Sequence, residues 1–267
     1  MYRLFAIAAV LLWVSAMVAL FARDVWPAWT AQDPPAMTRD QFARLDQPAQ
    51  QFGIYRSPDE RIGSAWNSVE ASGPNTTVYG TVVVEGVSYI PPVRVETVTD
   101  FDDQGGLDSF RLDVHGVPLT IKIRGETRGL YFPCELHIGP LHRDANLDRA
   151  ASRLIGQTLR PFSFLPTLSV GQSWRMQMLD PISAVLTGRT DFTPVVARVT
   201  GKETIEHLGK PIECLVVETS AYAAKAWADG NGQVLVQQVE MPGVGRITVR
   251  TEPFDEEQRS AARKRIR

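Results

Sequence analysis

The sequence predicts a mainly β protein, an antiparallel sheet with one or two short helices, preceded by a single N-terminal transmembrane helix. Two observations predict this class. An uncharged apolar run occupies Leu4 to Ala22, and from about Ser64 onward apolar and polar residues alternate with a period of two. The chain has 267 residues, 44% of them hydrophobic and 22% charged, with 18 Pro and 20 Gly. These values are typical of a folded domain in which turns join many short strands.

The predicted anchor occupies residues 1–23. Its apolar run, Leu4 to Ala22, has Ser15 as its one polar side chain, and as a helix it would measure roughly 28 Å, close to the hydrocarbon thickness of a bilayer. The alternative is a cleaved signal peptide: cleavage after Ala22 places Leu20 at −3, which fits poorly, and cleavage after Ala16 places Val14 there, which is tolerable but shortens the apolar run. Arg3 precedes the span, which favours a body on the non-cytoplasmic side.

The rest of the chain divides by its pattern into a juxtamembrane linker at 24–60, a β-rich domain at 61–255 with two halves at 61–140 and 165–255, and a basic tail at 256–267. Within the linker, Thr38 to Gln41 have the form of a capping box, which predicts a short helix. Between the two halves, Asp144 to Leu154 is a second helical candidate, with Asp144 as its cap.

The basic tail concentrates cations at one end of a chain whose formal net charge is −2. Such a tail is either a solvated terminus or a contact to anionic lipid headgroups. The remainder of the chain has more acids than bases and no basic stripe, so no nucleic-acid partner is expected.

Three runs show the strand pattern most clearly, because their apolar residues fall on alternate positions. They are Phe110, Leu112 and Val114; Leu119, Ile121 and Ile123; and Leu130, Phe132, Cys134, Leu136 and Ile138. Alternation of this kind predicts antiparallel strands with one buried face. Turn residues at Asp103 to Gly106 and at Asp229 to Gly232 separate such runs, and the second set predicts a hairpin.

Cys134 and Cys214 are the only cysteines, and each falls on the apolar side of its predicted strand. In an oxidising compartment the two could form one disulfide that closes a loop of about 80 residues, contributing a few kcal/mol. The alternative is a pair of buried free thiols that behave as small apolar side chains.

No catalytic, cofactor-binding or metal-binding residue is predicted, because the chain has no nucleophile elbow, phosphate loop, dinucleotide fingerprint or zinc-protease motif. A loose cluster is formed by His137, His142, Asp144 and Asp148. A metal site needs several convergent ligands, and His142 follows a Gly-Pro turn, so these residues are expected to face solvent.

Several short motifs resemble those of a class of uncharacterised bacterial envelope domains, over about residues 61–252. Val170 to Trp174 is similar to the pattern by which such domains enter their second half, Gly201 to Ile205 resembles the next hairpin, and Trp227 with Gly232 to Leu235 resembles the one after it. Arg61 to Gly63 is similar to the start of such domains. The motif residues are Gly171, Trp174, Gly201, Glu203, Gly209, Trp227 and Gly232.

This resemblance implies a large curved antiparallel sheet or half-barrel, akin to lipoprotein-carrier proteins. It supplies no catalytic residues. It implies that the glycines allow turns and that Trp174 and Trp227 pack against the sheet. With the anchor, it places the protein in the inner (cytoplasmic) membrane as a single-pass protein, its body on the periplasmic or extracellular side.

We therefore expect a membrane-anchored, non-enzymatic β domain that binds an envelope component, either a lipid, a lipoprotein or a protein partner. One alternative is a structural accessory subunit of an envelope assembly. Another is an envelope hydrolase, which would require His115 or His137 beside Cys134 or a carboxylate. The choice of partner depends on whether the apolar face of the sheet is covered by the protein itself or left for a lipid-like ligand.

Overall fold

The protein is described by a computed structural model. The described residues are 13–17, 20, 49–72, 75–85, 91–116, 118–149, 151–152, 155–156, 165, 168–178, 181–189, 193–219, 223–241 and 245–265. All statements about structure below refer to these residues.

Fourteen strands form one open curved antiparallel sheet. The strands are β1 (Ala49–Ser57), β2 (Glu60–Ser72), β3 (Asn75–Val84), β4 (Val93–Phe101), β5 (Leu107–Gly116), β6 (Thr120–Glu126), β7 (Tyr131–Ile138), β8 (Leu141–Asp148), β9 (Ser173–Met178), β10 (Thr193–His207), β11 (Lys210–Thr219), β12 (Lys225–Ala228), β13 (Val234–Met241) and β14 (Gly245–Glu252). Two short helices are described from end to end, α1 (Pro181–Thr187) and α2 (Glu256–Arg265). The prediction of a mainly β protein with few short helices is confirmed.

The sheet consists of two wings that meet at the pairing of β1 with β14. From β1 the strands run in sequence order out to β8, and from β14 they run in reverse order out to β9. The junction is antiparallel, with Ile54 opposite Val249 and Gly53 opposite Arg250. The two predicted halves of the β-rich domain are thus joined in one continuous sheet, and the first and last strands of the chain hold them together.

The sheet begins earlier than the predicted start at residue 61, because β1 lies within the predicted linker, 24–60. The sequence AQQFGIYRS shows no alternation, since five consecutive residues of this strand, Gln50 to Ile54, are buried. A strand that is covered on both faces gives no period-two signal. The predicted short helix at Thr38 to Gln41 lies outside the described residues.

The helix predicted at Asp144 to Leu154 begins later, because strand pairing decides the conformation of its first half. Residues 141–148 form β8, and Asp144 lies opposite Glu135 on β7. The helical residues start at Arg149, and the backbone N–H of Ala151 donates to Oδ1 of Asp148 at 2.9 Å. The residue that caps this helix is therefore Asp148, and the prediction of Asp144 as the cap is wrong.

The basic tail is helical from Glu256 to Arg265 rather than a frayed terminus. Asp255 caps this helix by accepting from the backbone N–H of Gln258 at 3.0 Å. The helix also docks on the sheet, because buried Gln51 accepts from the backbone N–H of Asp255 at 2.9 Å and donates to the side chain of Gln258.

Most of the predicted anchor lies outside the described residues. Within it, the structure describes 13–17 and Leu20, and all of these residues are helical. Among the described residues, no helix combines the length and the apolar character that crossing a membrane requires. The anchor at residues 1–23 stays a prediction.

The two predicted turns use the same chemistry. Asp102 accepts backbone hydrogen bonds from Gln104 and Gly106 at 3.0 and 2.6 Å. Asp229 accepts from Asn231 and Gln233 at 2.9 and 2.8 Å. In each turn an Asp side chain replaces the missing backbone partners and fixes the register of the strands that follow.

The main core covers one face of the first wing. Its largest side chains come from the apolar positions of β4 to β8, and the helical residues after β8, together with α1, pack over them. The buried members are Val78, Phe101, Leu107, Phe110, Ile123, Phe132, Cys134, Leu136, Leu147, Ala151, Ile155, Ala184 and Val185. The protein's own helices thus cover the apolar face of this wing.

Replacing Phe132 by Ala should destabilise the protein by about 3–5 kcal/mol, because the ring is fully buried and stacks on Phe110 with centroids 5.9 Å apart. Urea unfolding measures the change. Leu130→Ala is the matched control, since Leu130 is 76% exposed, and its effect should stay within about 0.5 kcal/mol. Equal effects of the two substitutions would contradict the assignment of the core.

Candidate functional site

The polar face of the first wing bears two rows of ionisable side chains, because the register places them directly opposite one another on adjacent strands. One row runs through Glu96, Asp113, Lys122, His137 and His142, and the next through Arg111, Arg124, Glu135 and Asp144. Alternation along each strand directs these side chains away from the core face. We call this surface, from β4 to β8, the polar face.

Three cations lie together at the centre of the polar face. Arg111 is directly opposite Arg124, and Lys122 lies two positions before Arg124 on the same strand and the same side. All three side chains are exposed, and none of them has an ion pair within 4.0 Å among the described residues. We call these residues the cationic cluster.

A groove of about 520 Å³ runs beside the cationic cluster. Its lining includes Arg111, Arg124, Asp100, Ser109 and Glu135. The Asp100 carboxylate accepts hydrogen bonds from Ser109 Oγ at 2.6 Å and from Thr77 Oγ1 at 2.7 Å. Asp100 is therefore occupied by its own neighbours, while Arg111, Arg124 and Glu135 are exposed and have no ion pair within 4.0 Å among the described residues.

The residues named for a hydrolase do not assemble into a nucleophile and base. His115 Nε2 lies 4.0 Å from Glu96 Oε2, on the polar face. Cys134 belongs to the core on the opposite face, and His137 is three positions further along β7, so the thiol and that imidazole point to opposite sides of the strand. A histidine–carboxylate contact is thus present at His115, but it has no thiol nucleophile beside it.

Of the four residues in the loose cluster, the structure brings His137, His142 and Asp144 together but not Asp148. The β7–β8 hairpin places His137 Nε2 3.2 Å from His142 Nδ1, and His142 Nε2 lies 3.2 Å from Asp144 Oδ1. Both imidazoles are exposed, as the sequence predicts, while Asp148 caps the following helix. Among the described residues, no group of three or more His, Cys, Asp or Glu side chains is arranged to hold a metal ion.

Cys134 and Cys214 are buried free thiols, so the disulfide alternative is wrong. Nine strands separate β7 from β11 in the order of the sheet, and the two thiols pack in different apolar clusters. A disulfide needs Cα atoms within about 7 Å of each other. Burial raises the pKa of the Cys134 thiol to about 12, and burial followed by the nearby Asp229 raises the pKa of Cys214.

Both thiols should be unreactive in the native protein and titratable once it unfolds. We expect iodoacetamide at mildly alkaline pH to leave native Cys134 unmodified, because the thiolate is the nucleophile and its formation is suppressed. In concentrated urea without a reductant, mass spectrometry should show two alkyl groups per chain. An unmodified denatured chain would show that a disulfide does form.

The motif residues of the second wing have structural positions. Trp174 is buried in a cluster with Val199 and Val217, and Gly201 follows a register irregularity between β10 and β11. The remaining glycines, Gly171, Gly209 and Gly232, have positive φ angles. Gly209 completes the tight β10–β11 connection, in which Leu208 also has a positive φ of 50°.

Glu203 and Trp227 form one hydrogen-bonded unit with Lys225. Trp227 Nε1 donates to Glu203 Oε2 at 2.7 Å, and Lys225 Nζ donates to Glu203 Oε1 at 2.9 Å while lying 4.8 Å from the centre of the Trp227 ring. Hydrogen bonds from Lys225 and Trp227 lower the pKa of the Glu203 carboxyl. The unit clips β10 to β12 across β11 and orients the indole.

Glu203→Gln should cost about 0.5 kcal/mol at neutral pH, a small value because the Glu203 side chain is 47% exposed. Since the folded-state pKa is lowered, this stabilisation is complete above the ordinary value of 4.5 and is lost as pH falls through the folded-state pKa. Urea unfolding of both proteins across this range measures it. Glu206→Gln on the same strand is the control, and a difference that grows towards acid would contradict the assignment.

The fold defines a class: a single antiparallel sheet in which helices cover the apolar face of the first wing and the opposite face of that wing is polar. The chain matches no family model, and no curated protein matches it. It is similar to the crystal structure of a DUF1089-family protein from Pseudomonas aeruginosa, with 15% identity and a TM-score of 0.37 over 71% of this chain and 93% of that one. The likeness to lipoprotein carriers stays a prediction.

Proposed function

We propose that this protein is a membrane-tethered, non-enzymatic binding module of the cell envelope, and that its polar face binds an acidic segment of a protein partner. The observation that supports it most is the cationic cluster of Arg111, Lys122 and Arg124, which has no ion pairs among the described residues. The apolar run from Leu4 to Ala22 supports the tether.

The core argues for a protein partner rather than a lipid. A lipid-binding sheet needs an apolar cavity, and in the first wing the helical residues after β8 and α1 occupy that space. The groove beside the cationic cluster is lined instead by charged and hydroxyl groups such as Arg124, Glu135 and Ser109. The groove also holds the acids Asp108, Glu126 and Glu135, so the proposal rests on the exposed arginines at its rim and not on the charge of its whole lining.

The edges of the sheet favour binding through side chains over addition of a strand. The edge strand β8 carries Arg143, Asp144 and Asp148, all exposed. Charged side chains on an edge strand oppose pairing with another chain. A partner is therefore expected to contact the polar face and not to extend the sheet.

Binding of a fluorescent Asp/Glu-rich peptide to the purified full chain, followed by anisotropy, tests this proposal. We expect saturable binding that weakens with salt, since exposed charge pairs are screened. The double substitution Arg111→Glu/Arg124→Glu should weaken it at least tenfold. Arg198→Glu/Lys210→Glu is the matched control, because both residues are exposed bases on the other wing.

In cells, a photo-crosslinking residue in place of exposed Glu135 should yield an adduct with a protein, and Arg111→Glu should abolish that adduct. An adduct that ignores this substitution would count against the proposal, as would a lipid that copurifies in equal amount with the chain. Equal effects of the two double substitutions, which change the net charge by the same amount, would show that only net charge matters. Adducts from every exposed position of both wings would favour a structural accessory subunit instead.

A further inference from the structure

We propose that His137 and His142 form a surface site for a divalent transition-metal ion such as Zn²⁺. The two residues lie directly opposite each other on β7 and β8, and their rings are in contact with centroids 4.3 Å apart. The site lies on the polar face and takes no ligand from the cationic cluster, although Lys122 of that cluster lies directly opposite His137.

The spacing of the two nitrogens suits a metal ion. His137 Nε2 and His142 Nδ1 are 3.2 Å apart. Zinc–nitrogen bonds are about 2.05 Å long, so an ion bound equally to both atoms would see them at an angle of about 103°, close to tetrahedral. The same separation also fits an N–H···N hydrogen bond between the two rings. Without metal, one proton can therefore lie between His137 Nε2 and His142 Nδ1, where the ion would bind.

Asp144 sets the tautomer that the metal needs. Its Oδ1 lies 3.2 Å from His142 Nε2, so the N–H of His142 is held on that side and the lone pair of Nδ1 faces His137. A carboxylate that accepts from the far nitrogen of a ligating histidine orients the ring and raises its basicity. Asp144 is a positioning residue here, and only the two imidazoles are ligands.

The charges around the pair are balanced. Lys122 lies directly opposite His137 and opposes a cation, while Glu135 and Asp144 lie on the same face beside the two histidines and attract one. With two protein ligands, the remaining positions belong to water, so binding is expected to be weak and exchangeable. Imidazole ligands select zinc, copper and nickel over calcium and magnesium.

Isothermal titration of the full chain with Zn²⁺ tests the site. We expect one ion per chain, at least tenfold weaker binding in both His137→Gln and His142→Gln, and about tenfold weaker binding in Asp144→Asn. His115→Gln is the matched control, because His115 lies on the same face beside Glu96 and away from the pair.

The variants should fold, because both imidazoles are exposed, and an unchanged melting temperature without metal checks this. Calcium should not replace zinc in the titration. The site would be excluded by a wild-type chain that binds no zinc, or by a His137→Gln/His142→Gln double variant that binds it as the wild type does. An Asp144→Asn variant with unchanged affinity would remove the positioning role and the tautomer argument with it.

Discussion

The pairing of β1 with β14 is the constraint on which the rest of the structure depends. Each wing is a meander of neighbouring strands, and this one ladder between the two ends of the domain joins them. Gln51 reinforces it, because its Oε1 accepts from Trp66 Nε1 at 3.0 Å and from the backbone N–H of Asp255 at 2.9 Å. A buried amide with partners on β2 and at the start of α2 couples the junction to the neighbouring strand and to the helix that follows β14, and an apolar substitute would leave those donors unsatisfied.

The alternation of the strands then assigns chemistry to faces. In the first wing, odd and even positions of one strand serve the core and the solvent, so Cys134 packs among apolar side chains while Glu135 lies exposed beside the groove. This division explains why the sequence contains both a cysteine and histidines, while among the described residues the thiol of Cys134 and the imidazole of His137 lie on opposite faces of the sheet. It also explains why the apolar face is unavailable to a ligand: the helical residues after β8 and α1 already cover it.

The sequence predicts those parts of the fold whose signal is local. Alternation in β5 to β7 and the Asp-initiated turns are visible in short windows, because one buried face and one capping side chain are enough to produce them. β1 is missed because burial of five consecutive residues erases the period. The helix at Asp144 is misplaced because pairing with β7 overrides local propensity. The cationic cluster and the histidine pair depend on register between strands, which no single segment of the chain encodes.

Register also gives the strongest reason to regard the polar face as functional. Arg111 lies directly opposite Arg124, and Glu96 directly opposite Asp113. Like charges in directly opposed positions destabilise an antiparallel pair, and an exchange of one residue in each pair would remove the repulsion without touching the core. A surface shaped by stability alone would place Arg111 against an acid. Because sites that depart from local consistency are where function is expected, the opposed arginines support the anionic partner that we propose.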